Sequence, residues 1–367
     1  MKSVANKSKY RYQQIAEMIQ RDISDRYKHG ELIASEQVLA KKYGVSCVTL
    51  RQALGDLAQR GFVRRHHGRG TVVVDRASTG ELAILVRPSL LDVNASPYYY
   101  LVRSYLFEYL RKKKVSLNVK IHAGEMTSSG EDWPLTLDLL DPEVLGRIRG
   151  VFSLHKLGEV EAKLAEAGVP VLYLSAVGGK NLYHVYFNED ALEKGVKYLA
   201  QRGCQSIGVI WSGEIKGREE NYEKRCCEFE LLAKDMGLKT RREWIMGRRG
   251  SGSGVGVTER DGYELFVDLW NQKERPECIF VNDDVLCRGV LRGTLHLGVK
   301  MPAQLCLVTM ANKGIEFPYH LSLTRIEYDA AELVRIAAEM MLNLINGDVV
   351  EQRNICIPGE LVQGATG

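Results

Sequence analysis

Residues 43–71 read YGVSCVTLRQALGDLAQRGFVRRHHGRGT, and the reading of this stretch decides the amino-terminal fold. Gly44 closes one helix, because glycine accepts the left-handed cap conformation without a Cβ penalty. Ser46 offers a hydroxyl to the first free amides of the next helix. Leu50, Ala53, Leu54 and Leu57 then recur at helical spacing on one face, and Gly61 ends the run. FVRRHHGRGTVVV continues as two short strands around a His-Gly-Arg-Gly turn, the pattern of a β hairpin. A hairpin of that size cannot by itself neutralise Arg64, Arg65, Arg69 and two histidines. Phosphate oxygens can, through charge-assisted hydrogen bonds, and the glycines let the backbone approach a sugar-phosphate chain closely.

Upstream, Tyr12, Ile15, Met18 or Ile19, and Ile23 form a helical stripe, and Ser35 stands at the N-cap of a second helix, SEQVLAKKYG. Val38, Leu39 and Tyr43 are expected on its inner face. Two short helices joined by a tight turn make a helix-turn-helix, whose second helix presents its first turns to the DNA major groove. Charge agrees with this. Residues 1–80 hold 15 Lys/Arg against 7 Asp/Glu, whereas the remainder holds 35 against 39. A basic head on a mildly acidic body points to a polyanionic partner for the head.

Residues 10–74 resemble the winged helix-turn-helix of the GntR family of bacterial transcription regulators, through YQQIAEMI, SEQVLAKKYGVS, TLRQALGDLAQRGFV and HGRGT. The resemblance implies double-stranded operator DNA as the partner. It places Ser46, Thr49 and Arg51 against phosphates or base edges, Gln37 near the backbone, and His67, Gly68 and Arg69 at the minor groove. Two positions depart from the family. Ala34 stands where a proline is usual, and Cys47 stands where an arginine is usual, so no operator sequence carries over from relatives. Arg51 also has a competing role as a surface partner of Asp56 or Glu36.

Several classes of function lack support in the sequence. It contains no apolar run of about 18 residues for a membrane span, and MKSVANKSKYRYQQ lacks the apolar core of a secretory signal. The cysteines at 47, 204, 226, 227, 278, 287, 306 and 356 form no CxxC. Reduced thiols in a cytoplasmic protein are the expectation, with no metal site. There is no GxSxG, HExxH or phosphate-binding Walker loop, and neither catalytic residues nor a cofactor is expected. GSGSGVGV at 250–257 lacks the preceding strand and following acid of a dinucleotide fingerprint, and reads as a glycine-serine loop.

DRASTGE marks a polar linker, giving a winged helix-turn-helix over 1–74, a linker over 75–80 and a body over 81–367. In the body, apolar runs such as ELAILVR, PVLYLS, SIGVIW, ECIFV and LCLVTM alternate with amphipathic helices. That rhythm argues for an α/β fold with parallel sheets covered on both faces, and the length argues for two lobes around a cleft. The body resembles the effector-binding domain of LacI/GalR-type repressors, a periplasmic-binding-protein-like fold. The resemblance rests on SPYY, GVKYLAQRGCQSIGVI, KRCCEF, FVNDDVLCRGVLRGTLHLGVKMPAQLCLVTM and SLTRIEYDAAELVRIAAEMMLNLINGD. Head and body together are similar to arabinose-repressor-type regulators, which implies a homodimer whose operator affinity responds to a small molecule, foremost a monosaccharide. A nucleoside, an amino acid or no effector are the alternatives.

Ligands of open α/β sheets bind beyond the carboxyl ends of the strands. Asp283 or its neighbour Asp284, just past one strand, is therefore expected to point a carboxylate into the cleft; the resemblance selects Asp283, with Asp284 capping the following helix. The resemblance adds Arg225 as a guanidinium fork, although Glu228 replaces the family's glycine three residues on. Tyr98 and Tyr99 are placed against the ligand face, with Asn188 and Asn312 at strand ends. The family has an aspartate near the position of Asn312.

Overall fold

The computed structural model describes residues 11–27, 31–59, 62–66, 70–73, 81–86, 97–121, 142–155, 157, 159–175, 182–211, 219–247 and 257–367. In the head, helices α1 (Arg11–Arg26), α2 (Glu36–Tyr43) and α3 (Cys47–Gln59) precede an antiparallel pair, β1 (Val63–His66) and β2 (Gly70–Val73). Ile15, Ile19 and Ile23 of α1 meet Leu50, Ala53, Leu54 and Leu57 of α3 in one core. Gly44 adopts φ 63° at the end of α2, and its amide donates to the carbonyl of Ala40. The hydroxyl of Ser46 accepts the Thr49 amide at 3.1 Å, capping α3. Ser35 occupies the N-cap position of α2 without a capping side-chain hydrogen bond. One inward assignment is corrected. Val38 is 57% exposed, while Leu39 is buried and Tyr43 partly buried as expected, and Ala40 joins them. The arc that faces the core runs through Leu39, Ala40 and Tyr43, and Val38 lies just outside it.

The body contains two six-stranded sheets with a common plan. The first lobe contains β3 (Glu81–Val86), α4 (Pro97–Lys112), β4 (Ser116–Ile121), β5 (Ile148–Ser153), α5 (Glu159–Glu166), β6 (Val171–Tyr173) and β7 (Tyr183–Phe187). The second contains α6 (Ala191–Gln201), β8 (Ile207–Trp211), α7 (Glu219–Asp235), β9 (Ile245–Gly247), α8 (Glu259–Trp270), β10 (Cys278–Val281), α9 (Asp284–His296), β11 (Cys306–Asn312) and β12 (Thr324–Tyr328). Helix α10 (Ala330–Asn346) returns to pack on α4, β13 (Asn354–Ile357) joins the first sheet, and β14 (Glu360–Val362) joins the second.

The strand orders β13-β7-β6-β5-β3-β4 and β14-β12-β11-β10-β8-β9 correspond position by position. The paired strands run parallel except β14, which is antiparallel to β12. Strands buried on both faces must be apolar throughout, as ELAILV and IGVIW are. Separate apolar cores lie on the two faces of each sheet. The short strands β13 and β14 carry too little apolar signal for the sequence to show them. Their role is topological, because they force the chain to cross between the lobes a second and third time.

Candidate functional site

On the head, one acidic side chain organises the basic face. Arg51 Nε donates to Glu36 Oε2 at 2.7 Å, and Arg65 Nη2 donates to Glu36 Oε1 at 2.6 Å. A single carboxylate thus links the first turn of α2, the second turn of α3 and the hairpin. The two guanidinium neighbours, Arg51 foremost, hold the Glu36 carboxyl below its ordinary range. Both arginines stay mostly exposed, so the pairs add about 0–1 kcal/mol and leave N–H groups directed at solvent. The hairpin therefore does not carry its positive charge alone, as the sequence alone implies: α2 supplies a counter-ion. Ser46 is exposed, and its hydroxyl lies 3.0 Å from that of Thr49. Gln37 is exposed on α2. His67, Gly68 and Arg69 lie outside the described residues.

In the body, a cavity of about 710 Å³ opens between the lobes. Strand ends supply most of its wall. Trp211 ends β8 and Asn282 follows β10, the two strands that flank the point where the second sheet reverses its order. A crevice at that reversal is where open α/β sheets take ligands. Asn312 ends β11 and Tyr328 ends β12, while Leu174 and Ser175 follow β6, and Phe187 and Asn188 close β7.

Arg225 projects from α7 into the cleft with its guanidinium 4.6 Å from the Trp211 ring centroid. That closeness is a cation–π contact, which holds the guanidinium against the Trp211 face. Glu228, one turn on, also lines the cleft. Opposite, Tyr98 lies edge-on to Phe187 with centroids 5.6 Å apart, and Phe187 lies 4.8 Å from Tyr328. The Tyr98 hydroxyl donates to the Leu174 carbonyl at 2.7 Å, and burial pushes its pKa upward. Its polar end is thus committed and its ring faces the cavity. Tyr99 packs partly buried against the first-lobe core and does not line the cavity, and Tyr100 is 63% exposed. Of the expected pair, only Tyr98 reaches the cleft.

Neither adjacent aspartate takes its expected role. Asp283 accepts from the amides of Val285 at 2.8 Å and Leu286 at 3.0 Å, and so caps α9. Asp284 is fully buried and accepts the side-chain amide of Asn312 at 2.8 Å. The N-cap register is set by where helical geometry begins, at Asp284, one residue earlier than a cap at Asp284 would require. The neutral Asn312, rather than either carboxylate, therefore meets the cavity. Burial, with the Asp284 charge beside it, pushes the Asp283 carboxyl up to about 6. Burial also raises Asp284, against the Asn312 hydrogen bond. Asp284 Oδ1 and the cleft-lining Ser175 Oγ have no hydrogen-bond partner among the described residues. The sequence reading missed Trp211, Ser175, Asn282 and Tyr328, although each stands at or just beyond the carboxyl end of a strand.

No group of three or more His, Cys, Asp or Glu side chains among the described residues is placed to hold a metal ion. No helix among them is long and apolar enough to cross a membrane.

Comparison with known proteins agrees with both halves. Residues 11–73 match the bacterial regulatory proteins of the gntR family, and residues 196–366 match the periplasmic binding protein-like domain. The NTD biosynthesis operon regulator NtdR of Bacillus subtilis (strain 168) is 26% identical over 182 residues, 48% of this chain and 51% of that protein. The probable transcriptional regulator PhnF of Escherichia coli (strain K12) is 35% identical over 89 residues, 24% of this chain and 37% of that protein. The chain spans about half the length of the leading curated relatives it matches. Among solved structures, the lac repressor dimer bound to operator and the anti-inducer ONPF superposes with a TM-score of 0.60 at 18% identity, covering 79% of this chain and 94% of that one. At that identity the likeness speaks for the fold. Residues 11–73 are thus similar to the gntR-family helix-turn-helix, and residues 196–366 are similar to a periplasmic-binding-protein-like domain.

Proposed function

We propose that this chain is a sequence-specific DNA-binding transcription regulator, a repressor acting as a cytoplasmic homodimer. A small polyhydroxylated effector in the interlobe cleft, foremost a monosaccharide, controls its hold on the operator. The reading assigns it no catalytic step. The single observation that carries the proposal is the presence on one chain of an exposed, Glu36-organised arginine pair on a helix-turn-helix and a walled cleft between two lobes. Ser46, Thr49 and Arg51, with the turn residues His67, Gly68 and Arg69, would meet duplex DNA, and Gln37 would lie beside its backbone. In the cleft, Tyr98 would cover the apolar face of a sugar ring. Arg225, Asn188, Asn282 and Asn312 would bond its hydroxyls, and Asp283 would act through the α9 cap rather than by contact. Amide and guanidinium groups beside aromatic rings suit a neutral polyol, which offers both donors and acceptors.

The test is duplex binding measured by fluorescence anisotropy across a salt series, using fragments of the chain's own promoter with and without a panel of pentoses and hexoses. Binding that weakens steeply with salt is expected, with a shift of about 5–150-fold in operator affinity on adding the effector. A chain that binds no duplex even at low ionic strength would overturn the proposal. Unchanged operator affinity across the panel would remove the sugar-responsive part.

A further inference from the structure

The chain passes between its lobes three times, at residues 187–191, 328–330 and 357–360, and the three passages meet at one side chain. Asp190 Oδ1 accepts from the Tyr328 hydroxyl at 3.1 Å and from the Gly359 amide at 3.4 Å, and so touches the second and third passages. Asp190 Oδ2 accepts from Asn188 Nδ2 at 3.1 Å and pairs with Lys194 Nζ at 2.6 Å. Lys194 in turn donates to the Gly359 carbonyl at 2.7 Å. The one hydrogen of the Tyr328 hydroxyl is shared between Asp190 and the nearer Asn188 carbonyl, 2.6 Å away, and the Asn188 amide donates to the Ile357 carbonyl at 2.8 Å. Gly359 allows this closeness. A Cβ there would stand 2.9 Å from two Tyr328 ring atoms and 2.6 Å from Ile326 Cγ2.

Three separate strands of chain thus share one carboxylate that is largely shielded from water. Two of the residues bonded to it, Asn188 and Tyr328, also line the cleft. Changing the angle between the lobes must rotate backbone at the passages, and the Asp190 bonds resist that rotation jointly. We propose that Asp190 is a positioning residue: it clasps the three crossovers into one hinge and sets the lobe angle to which an occupant touching Asn188 and Tyr328 is coupled. Coupling of cleft to hinge rests on the cleft-binding reading above, whereas the clasp itself does not.

The test measures lobe-to-lobe distances by pulsed electron spin resonance in the full chain, without DNA or effector. Spin labels at K163C in the first lobe and K234C in the second, in a C227S/C356S background, are diluted with unlabelled chain to suppress distances between copies. Tyr328→Phe keeps the ring against Phe187 and deletes only the hydroxyl, so it guards against misfolding of Asp190→Ala. The distance distribution is expected to broaden at least twofold in Tyr328→Phe and further in Asp190→Ala, at temperatures where circular dichroism shows both folded. Glu332→Gln, an exposed ion-pair change on α10, should leave it as in the parent. Equal widths in parent and Tyr328→Phe would overturn the clasp. Duplex binding measured in parallel separates the two ideas, since its loss in the parent chain sinks the regulatory reading and leaves the hinge result standing.

Discussion

The head and the cleft solve the problem of presenting polar groups in opposite ways. On the head, Arg51, Arg65 and Glu36 meet at the surface within 30 residues of chain, and solvent screens them. In the cleft, Ser175, Trp211, Arg225, Asn282 and Asn312 come from distant segments, and the surrounding sheets bury much of the supporting chemistry. The difference predicts where substitutions hurt. Polar changes on the head should alter binding with little loss of stability, whereas changes beneath the cleft should alter stability first.

The largest effect is expected at Phe280, fully buried in β10 two residues before the cleft-lining Asn282. Phe280→Ala should cost about 3–5 kcal/mol in denaturant unfolding of the body. Helix α3 and its core should melt unchanged if head and body are separate folding units. A smaller loss is expected where α8 and α9 touch through glycine. A Cβ on Gly289 would stand 1.9 Å from the Glu259 carbonyl, so Gly289→Ala should cost about 1–3 kcal/mol through displaced helices.

Asp283 gives a pH-dependent case. Its folded carboxyl titrates near 6, above the ordinary 3.8, so the folded chain keeps a proton that the unfolded chain releases. Its contribution is fully present below about pH 4 and is lost as pH rises through about 6. Asp283→Asn retains a capping oxygen without the charge. It should raise stability by about 1–2 kcal/mol at pH 8, with the gain vanishing by pH 4 in parallel thermal melts. A gain that is the same at both pH values would show that the Asp283 charge is not what burial opposes.

At the small end of the stability scale lies the head. Glu36→Gln should change its melting by less than about 1 kcal/mol, because both partners are exposed arginines. Its effect on DNA is expected to be larger than that on folding. Non-specific duplex affinity should rise at low salt as the two guanidinium groups lose their counter-ion, while discrimination between duplex sequences falls. A large loss of stability in this variant would erase the contrast between the two regions.

Legibility in the sequence follows the same divide. The turn at Gly44, the Ser46 cap and the α3 stripe are local, each fixed by neighbours within a few residues, and the structure reproduces them. The alternation of strands and helices was equally visible, because strands buried on both faces must be apolar throughout. Val38 escaped, since which arc of an eight-residue helix faces inward depends on what packs against it. Of the cleft, Tyr98, Asn188, Arg225 and Asn312 could be named from strand ends and resemblance, and the cavity wall contains all four. Asp283 and Asp284 could not be told apart, because a one-residue difference in where α9 begins decides which carboxylate caps and which is buried.

By itself, then, the sequence determined what depends on short range: helix ends, apolar periodicity, the basic hairpin and the long apolar strands. Tertiary structure alone decided which side chains share a space. Glu36 meets Arg65 across 29 residues, Asn312 meets Asp284 across 28, and Tyr328 meets Asp190 across 138. Each of these contacts exists only after sheets and helices have packed, since no local preference can bring together groups so far apart along the chain.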